Sequence, residues 1–171
     1  KELKHNSTCF KKKKKKIKTK LILASSSPRR RRLMKEAGYQ FQVIPSHVNE
    51  RYPRHLKPSQ IVKYLALKKA LNVAKKNPAA NVLGSDTIVY LKGKVIGKPR
   101  SKAHAKRILK SLSNNWQRVY SGVAVVWAGG KKKKTGYAVS AVKIKKLSDR
   151  DIARASSKHM DKAGAYAIQE K

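Results

Sequence analysis

Two carboxylates, Glu50 and Asp86, and five cations, Arg29, Arg30, Lys69, Lys98 and Lys162, are the residues of this chain whose types could act together, with Ser25 and Gln169 as neutral polar partners. The acids draw attention because they are scarce. The 171 residues carry 44 Lys and Arg against 8 Asp and Glu, a formal net charge of +36. Two acids among several cations suit a magnesium-assisted reaction on a phosphate ester. Carboxylates hold the metal or activate water, while Arg and Lys neutralise charge developing on phosphate oxygens. Asp86 interrupts the apolar run Val82–Leu91. An unpaired buried carboxylate is costly, so it should be paired, metal-bound or at an open strand end; a core Asp bonded to backbone is the plainer reading.

The cationic side of this set depends on Lys20–Gly38, read as strand, tight turn and helix. Leu21-Ile22-Leu23-Ala24 is a short apolar run suited to a buried strand. Ser25-Ser26-Ser27 follows, then Pro28 and Arg29-Arg30-Arg31-Arg32. Ser27 is placed to cap a helix whose first position is Pro28, since proline lacks the N–H that is an orphan there. Leu33, Met34 and Ala37 give that helix one apolar face, and Gly38 ends it. Hydroxyls, free backbone N–H groups and guanidinium groups therefore converge on one helix N-terminus, which favours phosphate. A capped surface helix with solvated arginines is the alternative.

Farther along, Tyr39–Val48 alternates moderately and predicts a strand, with Glu50 just beyond it. Ser59–Lys76 is the clearest helix, with Ile61, Val62, Leu65, Ala66 and Val73 on its apolar face and Asn77-Pro78 as its stop. On pattern alone most of its lysines, Lys69 included, read as solvated. Val82–Leu91 and Val95-Ile96 predict strands, with Lys98 in the rigid Gly97-Lys98-Pro99 loop, and Ala103–Leu112 predicts a helix. Gln117–Trp127 and Tyr137–Ile144 predict a hairpin joined through Gly129-Gly130 and a lysine run. Ser148-Asp149-Arg150-Asp151 is a capping box before a short helix. Strands and helices that alternate first and then give way to a hairpin imply an α/β fold with a mixed twisted sheet and flanking helices.

Composition narrows the classes further. Hydrophobic residues make up 40%, enough for a globular core in one domain. Residues 1–19 form a basic low-complexity tail, expected to be disordered and able to contact nucleic acid non-specifically, with 20–171 as the folded domain. The first twenty residues account for +9 of the charge and leave +27 on the rest, a field that attracts polyanions and nucleotides whatever the fold. Cys9 is the single cysteine, so no intrachain disulfide forms and a reducing compartment fits. No apolar run approaches the length of a membrane span, and the five histidines show no zinc spacing. Neither a Walker loop nor a Rossmann glycine fingerprint is present.

Five motifs then occur in an order that resembles the Maf family. They are Leu23-Ala24-Ser25-Ser26-Ser27-Pro28-Arg29-Arg30, Gly84-Ser85-Asp86-Thr87, Gly97-Lys98-Pro99, Val119-Tyr120-Ser121-Gly122-Val123 and Asp161–Gln169. Members of that family are nucleoside-triphosphate pyrophosphatases related in fold to inosine-triphosphate pyrophosphatases. The resemblance spans about residues 20–169. It implies two lobes around a cleft, usually in a homodimer, and hydrolysis of a nucleoside triphosphate to the monophosphate and pyrophosphate with a divalent metal, Mg2+ or Mn2+, in the cytoplasm. The Asp-Thr pair and the ending look like the branch acting on dTTP and UTP. By motif, the resemblance assigns Ser25, Arg29 and Arg30 to the phosphate-binding turn. It makes Asp86 and Glu50 the catalytic and metal-holding acids, and adds Lys69, Thr87, Lys98, Lys162 and Gln169 as substrate-binding residues.

Four departures accompany the resemblance. Gln117 stands where many members have His, and Arg32 where an acid is usual. Ser157-Lys158-His159 replaces the usual Gly-Glu-Pro, and the sequence stops at Lys171 where members add a strand and a helix. The expectation is a marginal fold or a compensating dimer contact. The competing function is a catalytically weak, highly basic nucleic-acid binder on the same fold.

Overall fold

The computed structural model describes residues 19–158 and 163–165. Its strands are β1 (Leu21–Leu23), β2 (Gln42–Val43), β3 (Asn81–Leu91), β4 (Lys94–Ile96), β5 (Trp116–Trp127) and β6 (Lys132–Lys143). Its helices are α1 (Pro28–Glu36), α2 (Pro58–Ala74), α3 (Lys102–Leu112) and α4 (Asp149–Lys158), with single 3-10 turns at Ala128–Gly130 and Ala163–Ala165. The strands form one sheet in the order β2-β1-β3-β5-β6, with β4 paired to β3. β1 is parallel to both β2 and β3, whereas β3–β4, β3–β5 and β5–β6 are antiparallel. The mixed sheet with flanking helices is the one the element order implies. Among the described residues no helix is long and apolar enough to cross a membrane.

β3 organises the molecule because its two faces serve different helices. Val82 is buried with Ile22, Ala66, Ala70, Val73 and Val126 in a core built on α2. Val89 and Leu91, of opposite parity, are buried with Ala105, Ile108, Leu109 and Ile152 in a core built on α3 and α4. Fully burying an aliphatic side chain contributes about 1.5–3 kcal/mol relative to leaving it in water, so each core is a substantial anchor for β3. α2 lies very close to the sheet. A Cβ on Gly84 would fall 2.8 Å from the backbone nitrogen of Ala70, and one on Gly122 would fall 2.8 Å from the Cβ of Val62. Glycine is required at both positions by this close approach.

Several local expectations change in three dimensions. The strand expected over Tyr39–Val48 is reduced to Gln42–Val43, the register partners of Ile22 and Leu23, with the Ile44 N–H adding one bond to the Leu23 carbonyl. α1 buries none of its residues, and Leu33 is 51% exposed, so its apolar face is only partly used. Of the lysine run, 132–134 is strand rather than turn: Trp127 pairs with Lys132, and the reversal is the four residues from Ala128 to Lys131. The capping box at α4 forms as expected, with the Ser148 hydroxyl accepting from the Asp151 N–H while the Asp151 carboxylate accepts from the Ser148 N–H. Residues 1–18 of the basic tail, His159 and most of the closing motif 161–169 lie outside the described residues.

Candidate active site

Lys69 stands at the centre of the site. α2 buries Ile61, Val62, Leu65, Ala66, Lys69, Ala70, Val73 and Ala74, one face of consecutive turns, and Lys69 lies on it four residues from both Leu65 and Val73. Its ammonium donates to Asp86 Oδ1 at 2.5 Å and to Glu50 Oε1 at 2.8 Å. The lysine that pattern alone reads as solvated is therefore buried between the two acids. Asp86 projects from the β3 face that meets α2, so its burial and its pairing follow from one placement. Burial pushes the Asp86 carboxyl above the ordinary carboxylate range, against the pull of Lys69 and Arg30. Glu50 lies in the loop between β2 and α2. Partial burial raises its pKa, but the Lys69 hydrogen bond and the charges of Lys69, Lys98 and Arg30 outweigh that and hold it below the usual range.

The second half of the site hangs on Arg30. Its Nη1 donates to Ser25 Oγ at 3.1 Å and to the Ser85 carbonyl at 2.9 Å, and its Nη2 to Thr87 Oγ1 at 3.4 Å. One planar guanidinium thus ties the turn after β1 to the middle of β3, on either side of Asp86 in sequence. Burial lowers its pKa, partly offset by Asp86 and Glu50. Ser27 occupies the cap position of α1 as expected, but its hydroxyl makes no capping bond. Ser25 Oγ instead accepts from the Ser27 N–H at 3.3 Å and tightens the turn. Arg29 is exposed in the first turn of α1, outside the Arg30 network. Lys98, 56% exposed, lies at 3.8 Å from Glu50 Oε2.

The fold therefore brings these residues into one site made of two hydrogen-bonded groups, Ser25–Arg30–Thr87 and Glu50–Lys69–Asp86, coupled through the charges of Arg30, Asp86 and Glu50, with Lys98 at its edge. Lys162 and Gln169 lie outside the described residues. Ser121, which sequence reasoning quoted in a motif but gave no role, joins it: Thr87 and Ser121 are register partners, with their hydroxyl oxygens 3.4 Å apart. The Ser85 carbonyl was equally invisible, since nothing in a sequence says which backbone oxygen an arginine will find. The remaining described acids have other work. Glu36 pairs with Arg32 at 3.3 Å, Asp149 lies 3.7 Å from Lys110, and Asp151 caps α4. Arg32, basic where an acid is usual, thus makes an ordinary helix-surface pair.

A hard divalent cation fits these donors. Lys69 engages one oxygen of each carboxylate, and Glu50 and Asp86 each have a second oxygen. Among the described residues no three His, Cys, Asp or Glu side chains are grouped to hold an ion by themselves. Magnesium is commonly held by one or two carboxylates together with substrate phosphates and water, and Glu50 and Asp86 are the carboxylates that would serve.

A mixed α/β sheet that sets the buried Asp86 and the exposed Glu50 about one lysine, with an arginine beside them, has the charges to receive an anionic substrate. The fold is similar to the structure of a HAM1 protein from Coxiella burnetii, with a TM-score of 0.50 over 73% of this chain and 72% of that one; at 16% identity the likeness is of fold alone. The family described as Maf-like protein matches residues 20–171, and the chain belongs to it. Its relatives include a dTTP/UTP pyrophosphatase of Elusimicrobium minutum, 55% identical over 139 residues that cover 81% of this chain and 75% of that protein. A dTTP/UTP pyrophosphatase of Acetivibrio thermocellus is 41% identical over 150 residues, covering 81% and 74%.

Proposed function

We propose that this chain is a nucleoside triphosphate pyrophosphatase acting on dTTP and UTP, or on modified pyrimidine triphosphates. The observation that carries the reading is the buried Lys69 held by both Glu50 and Asp86, beside an arginine that spans β1 and β3. The reaction adds water to the α-phosphorus: a new P–O bond forms, the bond to the bridging oxygen breaks, and pyrophosphate leaves. Asp86, with its affinity for protons raised by burial, takes the proton of the attacking water. Glu50, kept ionised, supplies with Asp86 the oxygens for Mg2+ or Mn2+, which when bound would neutralise phosphate charge. Lys69 keeps the two carboxylates together and oriented. Arg29 and Lys98, both exposed at the rim, meet the triphosphate, and Ser25, Arg30 and Thr87 shape the turn that receives it. Lys162 and Gln169 complete substrate binding by motif.

One cysteine in 171 residues fits a reducing, nucleotide-rich compartment, and we assign the activity to the cytoplasm. A homodimer is proposed from the apolar group of exposed Val123 and half-buried Val125 and Trp127 on the sheet face away from α2, and sedimentation at several concentrations tests it. The activity is tested by pyrophosphate release from dTTP and UTP by folded protein with added magnesium or manganese. Release from those two substrates ahead of purine triphosphates is expected. No release from any triphosphate would overturn the proposal.

A further inference from the structure

Beyond α2, a strip of the β5–β6 hairpin is covered by none of the described residues. Tyr137 pairs with Gly122, whose face meets α2, so Tyr137, Val139, Ala141 and Lys143 all lie on that same face by alternation. Trp116 is the register partner of Lys143, and Arg118 that of Ala141. Trp116 is 64% exposed, Tyr137 52% and Val139 45%. Each of the two aromatic rings has a lysine over it: Lys63 Nζ is 5.5 Å from the Tyr137 centroid and Lys143 Nζ 6.0 Å from the Trp116 centroid. The rings are separated by six residues of strand, about 20 Å at the usual rise. The floor between them is stiffened by the edge-to-face contact of Tyr90 and Tyr120 at 6.1 Å.

We propose that this strip binds single-stranded nucleic acid. Exposed aromatic faces on an antiparallel sheet are stacking platforms for unpaired bases, and the flanking Lys63, Arg118 and Lys143 are placed to take the phosphates. A chain of +36 supplies the long-range attraction. The same charges argue against a second copy as the occupant. β6 is an edge strand with Lys132, Lys133 and Lys134 at one end and Lys143 at the other, so full-register antiparallel pairing with its own copy would set Lys132 against Lys143 at both ends. The strip shares no residue with the Lys69 network, although Tyr137 lies in register with Asp86 across Gly122, and the proposal stands whether or not the chain hydrolyses triphosphates.

The test is fluorescence anisotropy of the full chain with a labelled oligo-dA of about 20 nucleotides, beside the matching duplex and inorganic polyphosphate, at about 0.15 M salt. Single strand should bind more tightly than either competitor. Trp116→Ala and Tyr137→Ala should each weaken single-strand binding roughly 5- to 100-fold and leave polyphosphate binding unchanged, with Trp116→Phe restoring most of the loss. Far-UV melting curves confirm that the variants are folded; both side chains are exposed, so the curves should superimpose. Equal affinity for all three polyanions, or equal binding by wild type and both Ala variants, would reduce the interaction to bulk charge and overturn the proposal. So would a dimer that dissociates when Trp116 and Tyr137 are replaced.

Discussion

Lys69 Nζ lies 2.5 Å from Asp86 Oδ1, and both side chains are about nine-tenths buried. A buried pair of this kind is weak evidence for stability, because desolvating both charges costs about as much as their attraction returns. Its value lies in fixing the orientation of a carboxylate on a strand that would otherwise carry an apolar residue.

Asp86→Asn preserves the shape and removes the charge and basicity. General-base catalysis typically contributes about 10²- to 10⁴-fold, so kcat for pyrophosphate release should fall by at least that. Nucleotide affinity, carried by Arg29 and Lys98, should change little. Both are measured at matched folded fraction. A variant with near-native kcat would remove Asp86 from the mechanism and leave Glu50 as the acid to test.

Removing Lys69 acts on pH dependence. In Lys69→Met, Asp86 loses two of the influences that lower its pKa, while burial, the largest influence, still raises it. The acid limb of the kcat profile should therefore move to higher pH. Stability follows the same sign. A carboxyl whose folded pKa lies above its unfolded value contributes stability below the unfolded value, which is lost as pH rises through the folded one. The variant should therefore be most stable in mild acid and lose stability on the way to neutral pH. Breaking a buried pair typically costs about 3–5 kcal/mol, so urea midpoints at pH 5 and pH 7.5 should differ visibly. Equal midpoints would mean that Asp86 is solvated once Lys69 is gone.

Arg29 and Arg30 are adjacent in sequence and should separate by experiment. Arg30→Lys keeps the charge but cannot reach Ser25, Ser85 and Thr87 together, and hydrogen bonds to charged groups are typically worth about 1.5–3 kcal/mol. A drop in melting temperature and a rise in KM are expected. Arg29→Ala, on an exposed side chain, should leave stability within about 0.5 kcal/mol and raise KM alone. Identical thermal losses for the two would contradict the different placements.

Gly84→Ala tests the seat of α2. The added methyl meets the Ala66 carbonyl and the backbone of Ala70, and backbone cannot swing aside as a side chain can. Overpacking of a well-packed core costs roughly 1–3 kcal/mol, and because Lys69 rides on the same helix, activity per folded molecule should fall as well. Chemical denaturation and kcat measured together give the answer; unchanged kcat in a destabilised protein would uncouple the helix seat from the site.

How far the sequence reached can be judged from particular residues. Val82–Leu91, Ser59–Lys76 and Ala103–Leu112 announce their elements within a residue or two, because apolar periodicity and capping are local. Asp86 stands out from the sequence too, since an acid inside an apolar run must be compensated. The burial of Lys69 was legible in principle, lying on the same helical face as Leu65 and Val73. Counting only apolar residues hid it.

The tertiary structure alone decided what those residues touch. The meeting of Glu50 with Lys69 depends on the path of a loop that carries no pattern. The reach of Arg30 to Ser85 and Thr87 depends on the parallel pairing of β1 with β3 across residues far apart in sequence. The Thr87–Ser121 contact depends on a strand register that a one-residue slip would destroy. Side-chain type and spacing are written in the chain, and they fixed the kinds of chemistry available. Partnership across the sheet arises only when non-local packing sets register and helix seat, which is why the network around Lys69 and Arg30 appears only in the folded protein.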